Sequence, residues 1–384
     1  MDPVRRVACI VSTVAPALLA AVATPGHAAE GYKLRQSPVG VFGGEIAAPV
    51  ENPGFFGTAV LSHTRIGRVV DDQGNDIAVP ARTVPLPTGT PTGGAVPNGT
   101  YSLLVPAGSI GFEQTQTQLN LLGGYVSEGL YAGGRLAFVV NLPLIRQSRD
   151  FEPSQPLGTV SPTPAATLPL ALRGAIAAVA SAANAQVQAG LAAGAANQNV
   201  EVSGVGDTEL SMGWTHQQDR LKVVAGVSLF LPTGKYDKTR GPNPGFGDFY
   251  TLRPGVTVIY APAGGSGGSG WDSGLTLAGR MAYGMNTRNQ ETDTRSGDFV
   301  YVELGAVKVT GNWAFGANLL ALQQVSSDSG PAALARYRNF SAGPFVSYKL
   351  PGREAGFNLH YSQNFGSRNA LMAQTLQLRF IKAW

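Results

Sequence analysis

The sequence predicts an all-β protein, a transmembrane antiparallel up-and-down β-barrel of about 12 strands with one Ala-rich helical insert in a long loop. Three observations carry that prediction. Short segments alternate apolar and polar side chains along most of the chain. Their polar faces hold Gln, Asn, Thr and Gly, where a water-soluble sandwich would show Lys and Glu. The chain opens on an export signal, and nothing after it reaches the roughly 18 to 20 apolar residues that a spanning helix needs. Charged residues make up only 14% and Gly accounts for 50 of 384 residues, which suits strands that hide their apolarity by alternation.

The first element is the signal. Arg5 and Arg6 precede an apolar stretch from Val7 to Ala23, broken by Pro16. Gly26 and Ala28 are small residues placed for cleavage after Ala28, so residues 1–28 are expected to be a Sec signal peptide. Cys9 is the only cysteine and leaves with it, so the mature chain is expected to have no disulfide, thiolate metal site or cysteine nucleophile. Residues 29–54 are expected to form an N-terminal periplasmic or plug segment, and 55–384 the barrel.

Alternation places the strands at 55–68, 112–126, 130–142, 205–217, 221–231, 249–260, 272–286, 299–310, 312–324, 340–349, 355–364 and 372–384. In the second, Gln114, Gln116, Gln118 and Asn120 alternate with Thr115, Thr117, Leu119 and Leu121. In the last, Leu376, Leu378, Phe380 and Trp384 share one face and Thr375, Gln377 and Arg379 the other. Bacterial barrels typically end on such an aromatic-terminated strand, which makes the barrel assembly machinery an expected partner. Lys382 lies near the interface, where it can snorkel. Connections after odd strands are long and those after even strands short, apart from the Gly/Ser stretch Ala261 to Gly270. That asymmetry predicts an even strand number, both termini in the periplasm and the long loops outside the cell.

Two segments differ from plain loops. Residues 69–111 are rich in Pro and Gly and are expected to be irregular. Residues 169–196 are Ala-rich with strong helix propensity. They are read either as a surface helix, as a constriction folded over or into the pore, or as disorder.

Strand parity points Arg135, Arg253, Arg280 and Arg379 inward, with Asp207, Glu209 and Glu303. Arg or Lys facing lipid at the midplane costs roughly 2–4 kcal/mol, so inward orientation is required whatever the function. These seven residues are the pore-lining candidates. They either brace the wall as an ion-pair lattice or form a selectivity ring for carboxylated or phenolic solutes.

Other motifs are less specific. Asp237, Asp248, Asp293, Asp298 and Asp328 fall in long loops, but no spacing resembles a calcium loop. His360 and Ser362 stand two apart, as in some outer-membrane lipid hydrolases, which need a base within reach of the hydroxyl. Here Phe357, Leu359 and Tyr361 take the lipid face, so His360 and Ser362 point inward and no catalytic residue is expected. The pI of 9.2 reflects 28 basic against 24 acidic residues without a basic stripe, so nucleic acid is not an expected partner. No cofactor or metal is expected.

Several segments together resemble a known family. They are Val205-Gly206-Asp207, Leu231-Pro232-Thr233-Gly234-Lys235-Tyr236, the run from Asn286 to Gly297, the run from Gln323 to Gly330, and Gly343-Pro344-Phe345-Val346-Ser347-Tyr348. Their order and spacing resemble the phenol-degradation meta-pathway family of outer-membrane proteins, from about residue 55 to the end. The resemblance implies an outer-membrane channel for passive uptake of small organic solutes, hydrophobic or aromatic ones included, linked to aromatic degradation. It supplies no catalytic residues. A non-transport structural or adhesive barrel is the alternative, and an outer-membrane lipid hydrolase a further one.

Overall fold

The computed structural model describes Arg35 and residues 53–239, 241–263, 274–331 and 333–384. The expected signal peptide and nearly all of segment 29–54 lie outside the described residues, as does most of the Gly/Ser stretch after Ala261. Among the described residues, sixteen strands and one helix follow in chain order: β1 (Gly54–Val70), β2 (Arg82–Pro85), β3 (Ser102–Val105), β4 (Ser109–Val126), β5 (Arg135–Ser154), β6 (Thr159–Ser161), α1 (Leu170–Gln198), β7 (Glu201–Val205), β8 (Thr208–Gln218), β9 (Leu221–Leu231), β10 (Thr251–Tyr260), β11 (Leu275–Asn286), β12 (Phe299–Thr310), β13 (Trp313–Gln324), β14 (Arg338–Lys349), β15 (Ala355–Arg368) and β16 (Ala370–Ala383).

By contacts, the chain divides into two compact units. The larger holds Glu113–Arg149, Glu201–Trp384 and the stretch ending at Asp76. In it β8 to β16 pair in sequence, β16 meets β1, β1 meets β4, and β4 meets β5, which returns to β8. The result is a closed antiparallel barrel of 12 strands, as the sequence predicts. β7 is an extra ladder on β5, with Leu144–Ser148 opposite Val205–Glu201, beyond the stretch where Arg135–Asn141 opposes Thr215–Glu209. The closing seam runs from Phe56 opposite Ala383 to Val70 opposite Ala370, so first and last strands leave no free edge.

Side-chain distribution is inverted relative to a soluble protein. Leu252, Val256, Val258, Leu277, Met281 and Leu304 are exposed, whereas Arg253, Glu303, Asn318, His360, Gln377 and Arg379 are buried. An apolar exterior around a polar interior is what lipid on one side and water on the other require. Exposed aromatics bound the apolar band: Phe55, Tyr260, Trp313 and Trp384 at the end holding the C-terminus, and Tyr250, Tyr283 and Phe365 at the other. Tyr250, just before β10, and Tyr260, its last residue, sit ten residues apart. At about 3.4 Å per residue and a tilt near 45°, that spans about 24 Å, the height of an outer-membrane apolar band.

The strands deviate from expectation at a few places. β5 begins at Arg135, because Tyr131 and Gly134 exchange backbone hydrogen bonds around Ala132 and Gly133, both at positive φ. It then runs on to Ser154, well past Leu142. β15 and β16 are joined by a tight turn at Asn369 (φ 46°), not by a long loop.

The smaller unit holds Ile77–Phe112 and Asp150–Val200. Region 69–111 is not wholly irregular, since it supplies β2 and β3 of a three-stranded sheet in which β3 pairs with β2 on one side and β6 on the other. α1 matches the expected helix and buries Ile176, Ala180, Ala183, Val187 and Leu191, a three-to-four spacing that forms one stripe. The stripe joins Leu86, Tyr101, Leu103 and Val105 in one apolar cluster. Asn184, polar in mid-helix, exchanges hydrogen bonds with the backbone of Gly158, at 2.7 Å to its Oδ1 and 3.1 Å from its Nδ2.

Candidate functional site

The candidate site is the barrel lumen. Polar parity positions deliver its side chains, because successive strand residues point to opposite faces. One cavity, of about 340 Å³, lies toward the end away from the C-terminus. Its wall includes an amide ladder, in which Gln116 Nε2 donates to Gln118 (2.8 Å) and Gln118 Nε2 to Asn120 (3.0 Å). Gln147 donates to Gln116 at 2.9 Å and Arg149 to Gln114 at 2.8 Å. Leu320, Leu322 and Tyr337 add an apolar strip. A second cavity, of about 300 Å³, lies toward the C-terminal end and is more apolar, with Phe56, Val60, Leu122, Val139 and Ile381 beside Arg280 and Arg379. Asn141 borders both.

Two buried ion pairs line the cavities, Arg35 with Asp207 on the first and Arg253 with Glu209 on the second. Arg253 Nη2 donates to Glu209 Oε1 at 2.8 Å, and its guanidinium lies 4.8 Å from the Phe230 ring centre. Glu209 also accepts from Asn141 at 3.4 Å. Asp207 accepts from Gly234 N at 3.0 Å and Phe246 N at 2.9 Å, so two backbone donors fix its carboxylate. Arg35 donates to the same carboxylate from Nε at 3.0 Å and Nη2 at 2.7 Å. Its Nη1 donates to the Phe249 carbonyl at 2.6 Å and to Thr251 Oγ1 at 3.2 Å. Arg253 Nη1 donates to the Arg35 carbonyl at 3.2 Å, linking the two ion pairs.

A second network crosses the wall from β12 to β15. Tyr301 Oη donates to Glu303 Oε2 at 2.7 Å and Asn318 Nδ2 to Glu303 Oε1 at 3.0 Å. His360 Nε2 lies 2.8 Å from Asn318 Oδ1, which can only accept, so this nitrogen carries the proton. Arg280 stands opposite Glu303 in the register, 5.5 Å from the Tyr301 ring centre.

Of the seven candidates, the structure joins Glu209 to Arg253 and connects Asp207 to that pair through Arg35. Glu303 and Arg280 belong to the second network, and Arg379 lines the more apolar cavity. Arg135 stands apart at a strand end, where its Nη1 donates to the carbonyls of Ser127 (3.0 Å) and Glu128. His360 and Ser362 are both buried, while Phe357, Leu359 and Tyr361 are exposed. Arg35 was missed by sequence reasoning. No local pattern marks it, since its partner is 172 positions away.

The loop aspartates serve turns and ion pairs. Asp237 accepts from Thr239 N at 2.9 Å, Asp293 pairs with Arg288 at 2.9 Å, and Asp298 with Arg295 at 2.7 Å. Among the described residues, no group of three His, Cys, Asp or Glu could hold a metal ion.

A closed 12-stranded barrel, apolar outside and polar within, defines the class as an outer-membrane β-barrel. The COG4313 outer membrane channel from Pseudomonas putida F1 shares this fold at a TM-score of 0.60, with 11% identity over 91% of this chain and 100% of that one. The beta domain of the Bordetella autotransporter Brka is more distant, at a TM-score of 0.41, with 9% identity over 87% of this chain and 100% of that one. The family model described as "Putative MetA-pathway of phenol degradation" matches residues 97–380, and the chain belongs to that family. No curated protein sequence matches.

Proposed function

We propose that this protein is an outer-membrane channel through which small organic solutes, aromatic ones included, cross by passive diffusion toward an aromatic-degrading pathway. The observation that carries the reading is the lumen itself, an amide-lined cavity and a more apolar one with buried ion pairs on their walls. Amides and hydroxyls replace water around a phenolic hydroxyl, and Val, Phe and Leu side chains accept the ring. Family membership supports the link to phenol breakdown, and the Pseudomonas protein with this fold is an outer membrane channel. Twelve strands leave a lumen between the filled eight-stranded barrels and the open porins, which suits small solutes.

The basic groups Arg35, Arg149, Lys222, Arg253, Arg280 and Arg379 outnumber the carboxylates Asp207, Glu209 and Glu303. A modest preference for anionic or phenolate solutes follows. Residues 1–28 direct export, the C-terminal strand engages the barrel assembly machinery, and both termini face the periplasm. Swelling of liposomes reconstituted with the protein tests the reading. Phenol and benzoate should enter faster than a sugar of similar size. Swelling no faster than protein-free liposomes would favour a structural or adhesive barrel instead.

A further inference from the structure

The surroundings of Arg35 are built by the barrel. Asp207 is fixed by two backbone donors from the β9–β10 connection, Gly234 N and Phe246 N. Thr251 Oγ1 donates to Asn286 Oδ1 at 2.7 Å, which leaves its lone pairs toward Arg35. The carbonyls of Gly247 (3.3 Å) and Phe249 (2.6 Å) complete the acceptor set. Gly247 holds φ at +123°, a region that favours glycine, and a Cβ there would lie 2.5 Å from Asn289 Nδ2. The rings of Phe249 and Phe246 flank the guanidinium, with centres 4.0 and 5.9 Å from its carbon. One carboxylate, two carbonyls, one hydroxyl and an aromatic face therefore converge on one planar cation. The occupant does not come from the strand wall, and the cradle borders the 340 Å³ cavity.

We propose that this cradle is a recognition site for a guanidinium-type organic cation, filled in the resting protein by the chain's own Arg35. A planar fork of N–H donors matches the acceptors, and the ring face adds cation–π attraction. A quaternary ammonium has no N–H and would leave the carbonyls and the carboxylate unpaired. This goes beyond the uptake of aromatic solutes, since it names a second ligand class and a residue that competes with it.

The test uses wild-type protein, Arg35→Ala, Arg35→Ala/Thr251→Val and Arg35→Ala/Asp207→Asn, purified in detergent, with methylguanidinium and tetramethylammonium as probes. Ligand that binds only the folded state raises the melting temperature by mass action, so the readout does not depend on conduction. Millimolar methylguanidinium should raise the melting temperature of Arg35→Ala and leave wild type unchanged, with no effect of tetramethylammonium on either. Loss of the charge-assisted acceptor in Arg35→Ala/Asp207→Asn should weaken the effect roughly tenfold or more. If that variant fails to fold, Arg35→Ala/Thr251→Val, which removes one hydroxyl and keeps the carboxylate, should weaken it by a smaller factor. In planar bilayers Arg35→Ala should conduct better than wild type, and methylguanidinium should reduce the gain. No shift in Arg35→Ala, or equal shifts with both cations or in wild type, would overturn the site. Solute-dependent swelling would be untouched by that result, so failure of the cation site and failure of the channel reading remain distinct.

Discussion

Arg253 and Glu209 meet in the barrel wall at 2.8 Å, with side chains 2% and 6% exposed. They lie on β10 and β8, separated by β9, so the pair spans the inner face of three strands. Removing one partner of a buried pair leaves the other charge uncompensated, at a cost of about 3–5 kcal/mol, while removing both is far milder. Arg253→Gln and Glu209→Gln should each lower the melting temperature in detergent, and the double variant should recover most of the loss. Equal loss in the double variant would mean that the two residues act independently.

Asn318 predicts a second effect, because it serves two partners. Its Nδ2 donates to Glu303 and its Oδ1 accepts from His360. Asn318→Leu keeps the volume and strips both bonds, leaving an under-solvated carboxylate and an unpaired ring nitrogen. Each buried polar group so orphaned costs about 1–3 kcal/mol. The expected outcome is a clear drop in thermal stability, and Asn318→Gln should restore part of it. Stability equal to wild type in Asn318→Leu would show that lumen water replaces the amide.

Gly343 governs the packing of β14 on β15. A Cβ there would lie 1.7 Å from the Tyr361 carbonyl oxygen, and backbone cannot step aside as a flexible side chain can. Gly343→Val should greatly reduce the heat-modifiable, folded fraction on gels. Gly67→Val, where no atom lies within 4 Å of the added Cβ, serves as the control and should fold normally.

Much of the barrel was legible in the sequence because lipid and lumen impose a two-residue period on every strand. That period fails where neither face is apolar. Beyond Leu142, β5 runs through Arg146, Gln147, Ser148, Arg149 and Asp150, polar on both sides, so its extension to Ser154 left no pattern to read. β2 and β3 are four residues each, too short for any period to emerge. Asp207, Glu209 and Arg253 could be assigned inward by parity, but parity says nothing of partners. The bonds from Asp207 to Arg35 and from Asn318 to both Glu303 and His360 are tertiary facts, set by strand order and by contacts far apart in the chain.

Topology is open to a direct test. The long connections and the insert 143–204 are expected outside the cell. An epitope inserted near Pro162, between β6 and α1, should be detected by antibody on intact cells. Detection only after rupture of the outer membrane would reverse the orientation.

Arg280 and Arg379 test whether the lumen charges select solutes or only brace the wall. Both line the more apolar cavity. Their replacement by Gln removes two positive charges and keeps some hydrogen-bonding capacity. If they set selectivity, reconstituted protein should shift its reversal potential in a salt gradient toward cations, and benzoate-driven swelling should slow more than phenol-driven swelling. The sign follows from the field, since fewer fixed cations lower the local concentration of anions. The shift should shrink at high salt, where screening acts within about 3 Å at 1 M. If the two arginines only brace the wall, melting temperature should fall while ion preference stays put. That outcome would move the source of any anion preference to the remaining basic groups that line the cavities, Arg35, Arg149, Lys222 and Arg253.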